Sequence, residues 1–186
     1  MDHASLSGGF ADPPQQSAVA FRGIMQAMAR PGTICDVSGA VAPAPLSVAA
    51  GTALLTLCDP DTGVHLAGVC DTREVRDWIT FQTGAPFVAA EVADFVVGRW
   101  DDIPLSALKI GTPEYPDRSA TVVVEMPDLR AECATLTGPG IKERAALNLP
   151  NVAAFQRNAA LFPLGLDFIF TYGAQMAALP RSTKVV

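Results

Sequence analysis

The chain is short of the residues on which most recognisable chemistry depends. It has two histidines, His3 and His65, far apart, and no HExxH, so no metal set is signalled. Its four cysteines, Cys35, Cys58, Cys70 and Cys133, fall in no CxxC or CxxxCxxC spacing. That excludes a sequence-evident iron–sulfur cluster or zinc ribbon. Cys58 lies in an apolar run and reads as a core thiol. The three lysines are Lys109, Lys142 and Lys184, a small stock for Schiff-base chemistry. GxSxG, GxGxxG and GxxxxGK[ST] are all absent, and with them the sequence marks of a hydrolase elbow, a dinucleotide fold and a P-loop. Basic residues are outnumbered, 13 against 19, for a net charge of −6. This disfavours a nucleic-acid binder and long-range capture of anions. No apolar run reaches the roughly 18–20 residues of a membrane span. The opening MDHASLSGGF lacks the basic start and apolar centre of an export signal, so a cytoplasmic protein with reduced cysteines is expected.

What is present suits a folded domain: 186 residues, 49% hydrophobic and 17% charged, enough for one core. Residues 1–15 read as a loose tail, and 16–186 as a single α/β domain. In FRGIMQAMARPG, Phe21, Ile24, Met25 and Met28 recur at helical spacing. They predict a helix over 16–29 that buries this face. Arg30 is placed in its last turn, and Pro31 and Gly32 stop it. Strands are expected at 33–37, 64–69, 93–97, 120–126, 129–136 and 166–172, with 175–179 a hairpin partner across Gly173-Ala174. Further helices are expected from Ser47 to Leu57, deeply buried, from an Asp71 cap with Glu74 three residues on, over 104–110, and over 151–160. Strands and helices that alternate and then give way to a β-rich stretch predict a mixed sheet with helices on its faces.

Four segments invite a functional reading. LTGPGI offers Gly138 and Gly140, whose backbone N–H groups can approach an anion, though a tight connection explains them as well. PRSTK groups Arg181, Ser182, Thr183 and Lys184, two cations and two hydroxyls suited to a phosphate, or simply a solvated chain end. Arg22 beside the helix's apolar face is either an anion contact or a snorkelling surface residue. Asp59 and Asp61 in DPDTG are best explained as turn formers, while Asp167 inside LGLDFIF must be paired or bonded once buried, and reads either as holder of the turn at Gly165 or as a functional carboxylate.

Six segments in order, FRGIMQAMARPG, TALLTLCDPDT, FQTGAP, LTGPGI, FPLGLDFIFT and LPRST, resemble the H subunit of the bacterial carbon–phosphorus lyase system. The resemblance implies a three-layer α/β/α fold like the large domain of pyridoxal-phosphate-dependent transferases, without the cofactor site. It implies a homodimer that joins G, I and J subunits in a core complex. That complex transfers a phosphonate to the ribose C1′ of ATP with release of adenine. No catalytic residue, metal or cofactor is implied for this subunit, and no turnover of its own is expected. Ligand contacts are expected at Arg22, Gly138, Gly140, Arg181 and Thr183, at most along a subunit edge. Two alternatives compete: a degenerate pyridoxal-phosphate enzyme, with Lys142 beside the glycine turn as its lysine, and a free-standing small-molecule-binding dimer.

Overall fold

The computed structural model describes residues 7–186; His3 and the first six residues of the expected tail lie outside them. Six strands form one sheet: β1 (Cys35–Asp36), β2 (Val64–Leu66), β3 (Phe95–Arg99), β4 (Thr121–Glu125), β7 (Asp167–Tyr172) and β8 (Gln175–Leu179), in the order β1-β8-β7-β4-β3-β2. β2, β3, β4 and β7 are parallel, and β8 returns antiparallel to β7. Val96, Val97, Val122, Val123 and Val124 are fully buried. A parallel strand covered on both faces needs such an unbroken apolar run, each side chain worth roughly 1.5–3 kcal/mol on full burial.

Three helices cover one face, packing on Val64, Leu66, Val97, Val123 and Ile169. α1 (Pro13–Ala29) starts on two prolines, three residues before the expected Gln16, since proline tolerates the first turn. Its buried face corrects the expectation. Ala20, Ile24 and Ala27 are inside, whereas Phe21 is 46% and Met25 50% exposed and Met28 is half-buried. Beside Ile24 the inner face is made of small residues, because the helix lies close to the segment carrying Val37: a Cβ on Gly23 would sit 2.9 Å from Val37 Cγ2. Arg30 is the C-cap, one residue beyond the last turn, because the residue before a proline leaves the helical region. α2 (Val48–Leu57) is capped by Ser47, whose Oγ accepts from the Ala50 N–H at 3.1 Å, and it buries Ala49 through Leu54. α3 (Arg73–Thr83) is capped by Thr72 rather than Asp71. Asp71 is instead held by the Arg76 guanidinium, which also keeps its carboxyl below the usual range.

The opposite face packs Val96, Val122, Val124, Phe168 and Phe170. Its cover is α4 (Val152–Ala160) together with a second sheet of β6 (Ala145–Leu147), β5 (Ala134–Thr137) and β9 (Lys184–Val185) in the order β6-β5-β9. The expected helical layer is thus one helix beside an antiparallel sheet. Phe155 of α4 meets Phe168 edge-on and Trp100 at a tilt, each with centroids 4.9 Å apart, geometries that aromatic pairs favour. The strand expected over 129–136 shrinks to β5. Cys133 has φ +74°, which no extended strand accommodates, and Arg130 is drawn to Asp128 and Glu132. The helix expected over 104–110 is a single 3₁₀ turn at Leu105–Ala107. β3 begins at Phe95, because the Asp94 carboxylate accepts from the Gly63 N–H at 2.8 Å and from Lys109.

Candidate functional site

Four of the five residues read as ligand contacts gather at the amino edge of the sheet. Asp167 opens β7, beside Thr121, which opens β4. Its carboxylate takes a paired contact from the Arg181 guanidinium and also accepts from the Arg181 N–H at 2.8 Å. The same guanidinium donates to the Pro116 carbonyl and the Ser119 hydroxyl. Side-chain exposure is 13% for Arg181 and 18% for Asp167, so the fork of donors is spent within the chain. Asn158, not Asp167, holds the turn at Gly165: its side-chain oxygen accepts from the Leu166 N–H and its amide donates to the Leu166 carbonyl, both at 2.8 Å.

Gly138 and Gly140 lie against the same corner. A Cβ on Gly140, at φ +80°, would sit 1.9 Å from the Ala29 carbonyl oxygen at the end of α1. Gly138 faces the backbone of Ser182 and Thr183. Thr183 is buried, and its hydroxyl has no partner among the described residues. Arg22 stands apart, exposed on α1 and without an ion pair among the described residues. Between these places Met25, Met28, Phe162, Pro163 and Pro180 line an open groove of about 600 Å³.

The carboxyl edge is built differently. Arg99, Glu125 and Thr171 are register partners on β3, β4 and β7. Side chains alternate along a strand, so the row faces the helical layer, as Val97, Val123 and Ile169 do. Glu125 accepts from the Ser47 N–H at 2.6 Å, at the start of α2, and from the Thr171 hydroxyl at 3.2 Å. Burial pushes the Glu125 carboxyl above its ordinary range, against the opposing pull of Ser47, Thr171 and Arg99. Arg99 is exposed and has no ion pair among the described residues. With Trp100, Asp101, Met126 and Pro45, Arg99 and Glu125 line a crevice of about 590 Å³. The chain leaves β2 towards α3 on the helical face, but leaves β3 towards Ile103 and Leu108 on the other. The crevice itself lies at the ends of β3 and β4, and open α/β sheets take ligands outside the carboxyl ends of their strands.

A profile described as bacterial phosphonate metabolism protein (PhnH) matches residues 8–186. The chain belongs to this family. The alpha-D-ribose 1-methylphosphonate 5-triphosphate synthase subunit PhnH of Rhizobium meliloti (strain 1021) is 39% identical over 194 residues, covering 96% of this chain and 94% of the relative. A putative C-P lyase subunit protein, HtxG, of Stutzerimonas stutzeri is 30% identical over 184 residues, covering 93% and 86%. The phosphonate-metabolism family resemblance drawn from the six segments therefore holds across nearly the whole chain.

In this PhnH-family chain, the other flagged residues have local structural partners. Asp59 accepts from the Asp61 N–H and the Thr62 hydroxyl in a turn. His65 Nδ1 lies 3.1 Å from the Val88 carbonyl. No lysine lines the carboxyl-edge crevice among the described residues: Lys109 pairs with Asp94, and Lys142 and Lys184 are exposed elsewhere. The crevice therefore does not fit a Schiff-base cofactor. Also among the described residues, no three His, Cys, Asp or Glu side chains are grouped to hold a metal, and no helix is long and apolar enough to cross a membrane. Sequence reading missed Arg99 and Glu125. The available signal was a charged residue directly closing an apolar strand, in FVVGR and TVVVE.

Proposed function

We propose that this chain is a subunit of a carbon–phosphorus lyase core complex, supporting transfer of phosphonate to the ribose C1′ of ATP with release of adenine. The carrying observation is the family match over residues 8–186 together with the subunit names of both relatives. In this reading the chain works in the cytoplasm as a homodimer joined to G, I and J subunits. It is a single folded unit beyond a short tail, with the body of a pyridoxal-phosphate-dependent transferase large domain and no cofactor. Phe162, 60% exposed, and Met25 of α1 share an apolar groove, and such uncovered surface favours assembly. Ligand contact by Arg22, Gly138, Gly140, Arg181 and Thr183 belongs to this reading only along a subunit interface.

The test is co-expression with G, I and J subunits, purification of each subset, and assay with ATP and methylphosphonate. The full set is expected to form product, the isolated chain none, and the set lacking it little or none. Full turnover without this chain overturns the reading. Within the full set, Arg22→Ala separates two roles: lost product with assembly intact indicates anion contact, and lost assembly indicates docking.

A further inference from the structure

We propose that the crevice at the carboxyl edge of β3 and β4 binds a phosphorylated ribose, its phosphate on Arg99 and its sugar hydroxyls on Glu125. The choice of ribose rests on the phosphonate-metabolism reading above, since a relative is named for a ribose product; the crevice chemistry stands without it. Arg99 offers planar guanidinium donors and spends none on an ion pair among the described residues, the state in which arginine takes a phosphate. Glu125 is fixed from behind by the Ser47 N–H and the Thr171 hydroxyl. A carboxylate has about four acceptor positions, so it retains capacity for ligand hydroxyls. Asp101 adds a second carboxylate to the wall. Two acids against one guanidinium repel a bare anion, while a ligand bearing both phosphate and hydroxyl donors satisfies each side. Trp100, Met126 and Pro45 supply an apolar wall for a ring. Trp100 is braced from behind by Phe155 and Phe168. The crevice, about 590 Å³, is within the size of small-molecule sites.

The experiment titrates the full chain, labelled with 5-fluorotryptophan, with ribose 5-phosphate, AMP, ribose and inorganic phosphate, read by calorimetry and fluorine NMR. The two tryptophans serve as internal controls: Trp100 lines the crevice and Trp78 is fully buried in the helical layer. Ribose 5-phosphate and AMP are expected to move the Trp100 resonance and leave Trp78 in place. They should bind at least about tenfold more tightly than ribose or phosphate alone, the scale of one charge-assisted hydrogen bond. Arg99→Ala, an exposed change, should weaken binding about tenfold or more with the unfolding midpoint unchanged; Glu125→Gln should weaken it with the phosphate contact kept. No binding, an undiminished Arg99→Ala, a shift at Trp78 alone, or phosphate binding as tightly as ribose 5-phosphate overturns the proposal. A chain that binds no ribose phosphate yet is required for product in the omission assay overturns the crevice and leaves the subunit reading standing. A chain that binds ribose phosphate but is dispensable for product does the reverse.

Discussion

The two edges of one parallel sheet hold their arginines in opposite ways. At the amino edge, Arg181 meets the Asp167 carboxylate, the Ser119 hydroxyl and the Pro116 carbonyl, and two glycine turns close over the corner. At the carboxyl edge, Arg99 shares a transverse row with Glu125 but no ion pair, and opens on a crevice. In sequence the ranking is reversed. PRSTK groups cations and hydroxyls as a phosphate site would, whereas VVGRW offers one arginine with no such cluster around it. An arginine's availability depends on how many acceptors the fold places around it, and those acceptors, Asp167, Ser119 and Pro116, come from distant parts of the chain.

If the amino edge is a packed structural corner, the largest effect falls on its closest approach. Gly140→Ala places a Cβ at 1.9 Å from the Ala29 carbonyl oxygen with φ at +80°, and should cost roughly 3–5 kcal/mol, strain and overpacking together. Urea unfolding measures this, and a loss below 1 kcal/mol would mean the corner yields. Asp167→Ala strands the Arg181 guanidinium and should cost about 3 kcal/mol; Arg181→Lys should recover little of the corner, since an ammonium cannot reproduce the fork. Arg99→Ala should change stability by no more than about 0.5 kcal/mol. Equal losses from Arg99→Ala and Asp167→Ala would erase the distinction between the edges.

The smallest and sharpest test is pH. Burial raises the Glu125 carboxyl in the folded chain, so the folded state holds that proton more tightly than the unfolded one. Its contribution to stability is then full below the unfolded glutamate value of about 4.3 and is lost as pH rises through the higher folded value. Glu125→Gln removes this dependence. Relative to the parent, the variant's melting temperature should therefore climb as pH rises above about 4.3, the ordinary glutamate value, and through the higher folded value. Parallel melting curves for the two proteins across that range would show that Glu125 is not held in a desolvating site.

Much of the fold was legible because local signals were strong. The Ser47 cap, the apolar α2, the strand of Thr121–Glu125 and the β7–β8 hairpin appear where their residues place them. The misreadings share one cause. Phe21 and Met25 are large and helically spaced, but large residues suit a roomy interface. α1 lies so near the sheet layer that Ala20, Gly23 and Ala27 take most of the inner face, with Ile24 the one large side chain buried there. β6 and β9 are three and two residues long, too short for a periodic pattern, and exist because β5 offers backbone partners.

By itself the sequence determined the family, the mixed α/β class and the strongly marked elements, among them the Ser47-capped helix, the strand of Thr121–Glu125 and the β7–β8 hairpin. These follow from order along the chain: caps, turns, apolar period and six segments in succession. Tertiary structure alone decided which face of α1 is inside, which arginine is spent and which is open, and that Arg99, Glu125 and Thr171 form one row. Those outcomes depend on distance between strands that are neighbours in space but 26 or more residues apart in sequence, and side-chain availability is fixed only when such neighbours have taken their hydrogen bonds.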